Sequence, residues 1–254
     1  MKFLIVFVLM LVTSVLSNKT RGRIFGGYDT YPTDFKYQVR IFIPAFYAPK
    51  IINKCGGSVI HNKWILTAAH CFRGGNRENT TVALGLNSDN EYTQYRNAIR
   101  VVTHKKHIYN KYQRLNDIAL IRIHYVKYGK YIQGIQLPSS TASFDGKIVT
   151  VAGWGSTGDG SYPTKLQYTT LKVLNYTECK KKFGRNFPQT QFCALSATSG
   201  TCDGDSGGPA VIGFGPSAVQ VGVLVYGLSS CSPNSSDAFI RVSSYLPWIR
   251  RRII

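Results

Sequence analysis

The stretch TCDGDSGGPAV, residues 201–211, concentrates small and acidic residues in front of an apolar run. Asp203 and Asp205 flank one glycine directly before Ser206, although the whole chain has only 12 acidic residues. A surface turn accounts for the glycines and the aspartates, because Gly permits positive φ and Asp bonds its own backbone. It does not account for the apolar residues that follow, so the rest of the chain must decide what this stretch does.

Short apolar runs rich in β-branched residues, separated by Gly, Pro, Asn or Ser, recur along the chain. The predicted strands are 37–43, 58–65, 81–86, 98–103, 118–123, 147–152, 167–173, 209–212 and 219–226. Strands at this spacing indicate an all-β sandwich or barrel, built as one large unit or two smaller ones. Only the C-terminus has helical spacing, with Ser243 and Ser244 predicted as caps and Pro247 in the first turn.

Residues 1–17 have the pattern of a secretory signal peptide, with Lys2 before an apolar run. The run is shorter than the about 20 residues of a membrane span, so a membrane anchor is the less favoured interpretation. We therefore expect a secreted, extracellular protein. Sequons at Asn79, Asn175 and Asn234 fit a glycosylated surface.

The six cysteines are expected to form disulfides in an oxidising compartment, although their spacing leaves the connectivity open. No zinc pattern competes for them, so we expect no metal and no cofactor.

The net charge of the chain is +19, and removing residues 1–23 takes away four basic residues and no acidic ones. A mature protein this basic is expected to be drawn to an anionic polysaccharide or another acidic surface. Nucleic acid is not expected as a partner, because no nucleic-acid motif is present. A solvated basic surface without a partner is an equally open interpretation.

Three polar residues lie beside apolar segments in the order His70, Asp117, Ser206. The motifs around them, TAAHC at 67–71, DIAL at 117–120 and GDSGGP at 204–209, resemble the trypsin and chymotrypsin family of serine endopeptidases. The similarity runs from Ile24 to the C-terminus. It implies an all-β, chymotrypsin-like fold of two six-stranded antiparallel Greek-key β-barrels, 24–130 and 131–254, with a C-terminal α-helix.

The resemblance also implies roles for these residues. Ser206 is expected to be the nucleophile, His70 its general base, and Asp117 the group that orients the imidazole. The backbone N–H groups of Gly204 and Ser206 are expected to form the oxyanion hole. The family's pairing implies disulfides Cys55–Cys71, Cys179–Cys193 and Cys202–Cys231.

The family is activated by cleavage before an Ile-x-Gly-Gly sequence, which here begins at Ile24. The resemblance therefore implies a zymogen with an activation propeptide at 18–23. An activating protease is expected to cut after Arg23, and the new α-amino group of Ile24 is expected to pair with Asp205.

The expected specificity pocket departs from the trypsin pattern, because Gly200 stands where trypsin-like members carry an aspartate. Asp237 at the pocket wall, with Gly227 opposite and Asp203 at the mouth, resembles the collagenolytic brachyurin group of arthropod proteases. That group accepts large apolar and basic residues. Tyr226 is expected to support the substrate backbone, and Arg114 to border the next subsite.

The sequence therefore predicts a monomeric, secreted serine endopeptidase that acts on protein or peptide substrates. One departure favours an alternative: Val225 replaces a family serine whose hydroxyl normally bonds the catalytic aspartate. A non-catalytic or weakly active homologue that binds an anionic partner is that alternative. A third hypothesis combines both roles: the protease is active, and its positive charge docks it on its target.

Overall fold

The computed structural model describes residues 26–31, 33–85, 92–110, 113–139, 143–156, 160–229 and 231–253. The expected signal peptide (1–17) and activation propeptide (18–23), with Arg23 and Ile24, lie outside the described residues. Among the residues that are described, no helix has the length and apolar character needed to cross a membrane.

The first half of the described chain is made of strands. They are β1 (Tyr28–Asp29), β2 (Gln38–Pro44), β3 (Ile52–His61), β4 (Trp64–Thr67), β5 (Thr81–Leu84), β6 (Gln94–Thr103), β7 (Ile108–Tyr109), β8 (Arg114–Leu115) and β9 (Ala119–Ile123). Six of them close an antiparallel barrel in the order β2-β3-β4-β9-β6-β5. Its interior is filled by β-branched and leucine side chains such as Val39, Ile65 and Leu120, which are fully buried. Burial of these side chains stabilises the barrel.

The second half adds six strands and two helices. They are β10 (Ile148–Gly153), β11 (Gln167–Val173), α1 (Tyr176–Phe183), β12 (Gln191–Leu195), β13 (Pro209–Ile212), β14 (Val219–Gly227), β15 (Ser236–Arg241) and α2 (Leu246–Arg250). The strands form a second barrel in the order β11-β10-β13-β14-β15-β12, closed by β11 against β12. The prediction of two six-stranded barrels with a C-terminal helix is therefore confirmed. Strand β1, which the expected boundary assigns to the first barrel, instead pairs with β11 of the second.

The C-terminal helix begins later than predicted. Residues Val242–Tyr245 form a 3-10 turn, and α2 follows with Pro247 in its first turn. The prediction that Ser243 or Ser244 caps the helix was wrong, because neither serine precedes α2 directly and no side chain caps it. Trp248 and Ile249 are buried, so packing against the first barrel holds the helix in place.

Buried hydrogen bonds join the two barrels. Ser58 donates to Gln220 Oε1 at 2.6 Å, and the Gln38 amide donates to the carbonyl of Ala152 at 2.9 Å. Both bonds cross from the first barrel to the second, and all four residues are buried. Because a buried polar group that loses its partner is costly, these bonds fix how the barrels meet.

Candidate active site

His70 begins a short 3-10 turn after β4 and faces Asp117, which precedes β9. His70 Nδ1 lies 2.8 Å from Asp117 Oδ2, and the His70 backbone N–H donates to Asp117 Oδ1 at 2.8 Å. The Asp117 side chain is fully buried, whereas 15% of the His70 side chain is exposed. A carboxylate on Nδ1 favours the tautomer with its proton there, which leaves Nε2 able to accept a proton.

Strand pairing explains why these two residues meet. Thr67 at the end of β4 lies opposite Ala119 at the start of β9, so the residues just beyond share one end of the barrel. Asn116 adopts a positive φ of 50° in the turn before Asp117. Its side chain accepts from the Tyr245 hydroxyl at 3.0 Å and donates to the Lys106 carbonyl at 2.8 Å. These bonds hold the turn that presents Asp117.

Ser206 lies on a loop before β13 that is attached to both barrels. Its carbonyl accepts from Gly56 N–H of β3 at 2.8 Å, and Cys71 Sγ, beside His70, lies 3.8 Å from the same oxygen. Gly207 N–H donates to the Leu224 carbonyl of β14 at 2.8 Å. The loop thereby brings Ser206 to the end of the first barrel that carries His70.

Glycine is required at two positions of this loop. Gly207 has φ +82°, and a Cβ there would lie 2.6 Å from the Gly56 carbonyl oxygen. Gly204 has φ +102°, which side chains rarely tolerate. Neither the Gly204 N–H nor the Ser206 N–H donates to any residue of the described chain. Two free donors beside Ser206 are able to stabilise an oxyanion.

Asp205 is a buried carboxylate held by backbone donors. Its Oδ1 accepts from Gly155 N–H at 2.7 Å and its Oδ2 from Cys202 N–H at 2.9 Å. Burial raises the pKa of Asp205 to about 6, against the two N–H donors, which lower it. The charge of Asp237 adds to the rise, and the charge of buried Arg40 opposes it. A second positive charge placed beside Asp205 would therefore stabilise its ionised form.

A cleft of about 190 Å³ opens beside Ser206. It is lined by Tyr109, Arg114, Thr201, Cys202, Asp203, Ser206, Leu224, Val225, Tyr226 and Gly227. Four of the predicted substrate-binding residues, Arg114, Asp203, Tyr226 and Gly227, are therefore brought together. Gly200 and Asp237, the other two predicted substrate-binding residues, are not among the lining residues.

Asp237 points into the protein and not to solvent. It lies opposite Gly227 in the β14–β15 pair, and a Cβ on Gly227 would be 2.7 Å from Asp237 Oδ1. The Thr201 N–H donates to Asp237 Oδ2 at 3.3 Å. Burial raises the pKa of Asp237 to about 6. The glycine at 227 therefore leaves this carboxylate room beside the cleft.

Sequence reasoning missed Tyr109. Its ring stacks on the His70 imidazole, with centroids 5.1 Å apart and planes at 28°. The Arg114 guanidinium lies 5.0 Å from the Tyr109 ring centroid and 4.1 Å from that of Tyr226. Arg114 is thus held between two aromatic rings at the rim of the cleft. No sequence motif marks Tyr109, because its role depends on the β7–β8 hairpin.

The structure contains the disulfides Cys55–Cys71, Cys179–Cys193 and Cys202–Cys231, the pairs that the resemblance implies. The first of them lies beside His70. The sulfurs of Cys55 and Cys71 and a ring nitrogen of His70 lie within 4.8 Å of one another. Because both sulfurs share a disulfide, this group offers no thiolate to a metal ion.

Val225 is buried and packs with the first barrel's apolar cluster. It brings no hydroxyl to Asp117, whose described hydrogen bonds both come from His70. His107 also lies near the carboxylate, with its Nδ1 3.9 Å from Asp117 Oδ1.

Comparisons with known proteins agree with this arrangement. The family model described as Trypsin matches residues 24–249. Chymotrypsin-2 of Vespa crabro is 35% identical over 231 residues, covering 90% of this chain and 99% of that protein. Collagenase of Hypoderma lineatum is 34% identical over 267 residues, covering 99% and 98%. A solved structure of HL collagenase aligns with a TM-score of 0.81 at 33% identity, covering 91% of this chain and 98% of that chain.

Proposed function

The chain belongs to the trypsin family and is a serine endopeptidase, and from this premise we propose how it acts and how it is controlled. It is secreted as a zymogen, activated by cleavage after Arg23, and hydrolyses peptide bonds through an acyl-enzyme on Ser206. It accepts large apolar and basic residues before the scissile bond. Its substrates are proteins or peptides.

The observation that carries the mechanism is the His70–Asp117 contact. With Asp117 on Nδ1, the imidazole accepts the Ser206 hydroxyl proton on Nε2 as Oγ attacks the substrate carbonyl carbon. The imidazolium then gives that proton to the leaving amine as the C–N bond breaks. A water molecule repeats the sequence to release the acyl group from Ser206. Buried Asp117 stabilises the positive imidazolium in both steps.

The two free N–H groups beside Ser206 support an oxyanion hole. The tetrahedral intermediate places negative charge on the former carbonyl oxygen, and the Gly204 and Ser206 donors stabilise that charge. Each such donor contributes about 3 kcal/mol to the transition state. Gly204 keeps its peptide turned toward the substrate because no side chain restricts its φ.

Activation is proposed to act through Asp205. A buried carboxylate with a raised pKa gains several kcal/mol from an added cation. The α-amino group freed at Ile24 supplies one. Gly26, two residues later, already lies against the second barrel, because a Cβ there would be 3.2 Å from Ser199 Cβ. Pairing with Asp205 would then lock the loop that carries Gly204 and Ser206.

The specificity proposal rests on Asp237. A carboxylate beside the cleft pairs with Arg or Lys, and the Leu224, Val225 and Tyr226 side chains of the lining offer apolar contacts to Tyr or Leu. Gly200, which the family resemblance places at the pocket floor, adds no charge. The relative named collagenase supports a collagenolytic preference for this chain as well.

The alternative of a non-catalytic homologue rests on Val225. The Asp117 carboxylate is already oriented by two bonds from His70, so its position does not depend on a hydroxyl at 225. The enzyme interpretation is therefore favoured.

The test uses protein without residues 1–17, treated with immobilised trypsin and then separated from it. Wild type is expected to yield an Ile24 N-terminus and to hydrolyse a peptide library, with cleavage after Tyr, Leu, Arg and Lys. The Arg23→Gln variant is expected to yield no Ile24 terminus and to remain inactive, even where trypsin cuts after Lys19 or Arg21. Equal activity of the uncut and processed forms would refute the zymogen, and an inactive protein with a correct Ile24 terminus would refute the catalytic proposal.

A further inference from the structure

Six basic side chains cover the outer face where β6, β9 and the C-terminal segment meet. This basic surface consists of Arg100, His104, Lys106, Arg122, Arg251 and Arg252. His104 and Arg252 are partly buried, and the other four are exposed. In the described part of the chain, none of the six forms an ion pair with Asp or Glu.

Two of these arginines face each other across paired strands. Arg100 on β6 and Arg122 on β9 are direct partners in the antiparallel register. Like charges directly opposite each other destabilise a sheet. The two guanidinium groups therefore repel each other, and an anionic ligand bound between them would reduce this repulsion.

Trp248 connects this strand pair to the end of the chain. The Arg252 guanidinium lies 4.5 Å from the Trp248 ring centroid, and its Nη1 donates to the Trp248 carbonyl at 3.0 Å. The His104 ring lies 5.4 Å from the Trp248 ring. The pKa of Arg252 is lowered mainly by partial burial and secondly by the positive charges of Arg251 and Arg100. The pKa of His104 is also lowered, mainly by burial and secondly by the positive charges of Arg252 and Lys106. The six groups are thus one electrostatic cluster.

We propose that the basic surface is a binding site for a sulfated polysaccharide. Four of its six members are arginines, whose planar guanidinium groups bind sulfate oxygens in a bidentate manner. A chain with regularly spaced sulfates supplies several negative charges at once. This site goes beyond the peptidase activity, and it rests on the proposed secretion because such polysaccharides are extracellular.

Other anionic partners fit this surface less well. Binding of single-stranded nucleic acid relies on exposed aromatic rings that stack on bases, but Tyr245 and Trp248 are buried. Membrane docking relies on an apolar helix face at the interface, but Leu246 and Ile249 of α2 face the protein core. The surface presents charge without an exposed aromatic platform or an apolar helix face.

The test measures binding of heparin to protein that begins at Ile24 and carries Ser206→Ala. The triple variant Arg100→Gln/Arg122→Gln/Arg251→Gln removes three charges and spares Arg252, which packs on Trp248. The matched control is Lys180→Gln/Lys181→Gln/Lys182→Gln on α1, which removes the same charge elsewhere. At 0.15 M NaCl the arginine variant is expected to lose about tenfold or more in affinity, and the lysine variant about twofold or less.

Further readouts separate this proposal from the peptidase proposal. The arginine substitutions in active protein are expected to leave peptide hydrolysis within about twofold of wild type. They are expected to reduce the slope of log affinity against log salt by about two to three, because fewer counterions are released. Equal losses in both triple variants would overturn the site. So would stronger, arginine-dependent binding to phosphatidylserine vesicles or to single-stranded DNA than to heparin.

Discussion

Replacing Asp237 by Asn is expected to change which residue is cut without changing the catalytic machinery. Asparagine keeps the shape and an oxygen for the Thr201 N–H, which now donates to Oδ2 at 3.3 Å. Oδ1 lies on the side of Gly227, which lines the cleft, and we propose that this oxygen bonds a substrate cation. One charge-assisted hydrogen bond contributes about 2 kcal/mol, which is a factor of about 30. The ratio of kcat/KM for an Arg substrate to that for a Leu substrate should fall by about this factor.

The same ratio should depend on pH in wild-type protein. Burial raises the pKa of Asp237 to about 6, so its carboxylate is ionised above that pH and neutral below it. The Arg-to-Leu ratio is therefore expected to be high at pH 8 and to fall about tenfold by pH 5. Effects of pH on the catalytic step act on both substrates alike and cancel in the ratio. In Asp237→Asn the ratio should be low and independent of pH.

The matched control is Asp203→Asn, which removes a charge from the mouth of the cleft. Because Asp203 is more exposed, its charge is screened, and the ratio should change by less than about threefold. The assay is steady-state hydrolysis of two peptides that differ only at the residue before the scissile bond. An Asp237→Asn ratio within twofold of wild type, or equal effects of both substitutions, would refute the assignment of Asp237 to the pocket.

Two further predictions concern stability and are measured by denaturant unfolding. Gly207→Ala should lower the free energy of unfolding by about 3 kcal/mol or more, because the new Cβ would clash with the Gly56 carbonyl oxygen. Gly74→Ala should lower it by only about 1 kcal/mol, because Gly74 has a positive φ but no atom within 4 Å of the new Cβ. Similar losses for both would show that φ alone matters. Asn175→Ala should lose about 1 kcal/mol by removing the capping box of α1. Asn175→Ser keeps a cap but removes the sequon, so a loss as large as that of alanine would assign the effect to a glycan.

Short sequence patterns predicted most strands of the two barrels because those strands carry their own apolar runs, although the predicted strand 58–65 is divided by a turn between β3 and β4. Strand β15 was missed, because Ser236 and Asp237 at its start have the composition of a loop. These two residues are buried because β15 pairs with β12 on one side and β14 on the other. Strand β12 was missed for a similar reason, since Gln191 at its start is polar and fully buried.

The candidate site likewise contains residues that local motifs predict and residues that only the tertiary structure places there. His70, Asp117 and Ser206 are marked by local motifs, so they were found from the sequence. Tyr109 stacks on His70 only through tertiary structure, and the pairing of β1 with the second barrel depends on a contact with distant Tyr168. The C-terminal cap was mispredicted because packing of Trp248 and its neighbours, and not a serine side chain, determines where α2 begins.

The central claim is that Ser206 is a nucleophile activated by His70. The most direct measurement is intact-mass and peptide-mapping analysis of Ile24-terminal protein after treatment with an organophosphate. Wild type is expected to gain one adduct, located on Ser206, and His70→Ala is expected to react at least about a thousandfold more slowly. Ser206→Ala should gain none. Labelling of Ser206→Ala at the wild-type rate, or a wild-type adduct on another residue, would contradict the account.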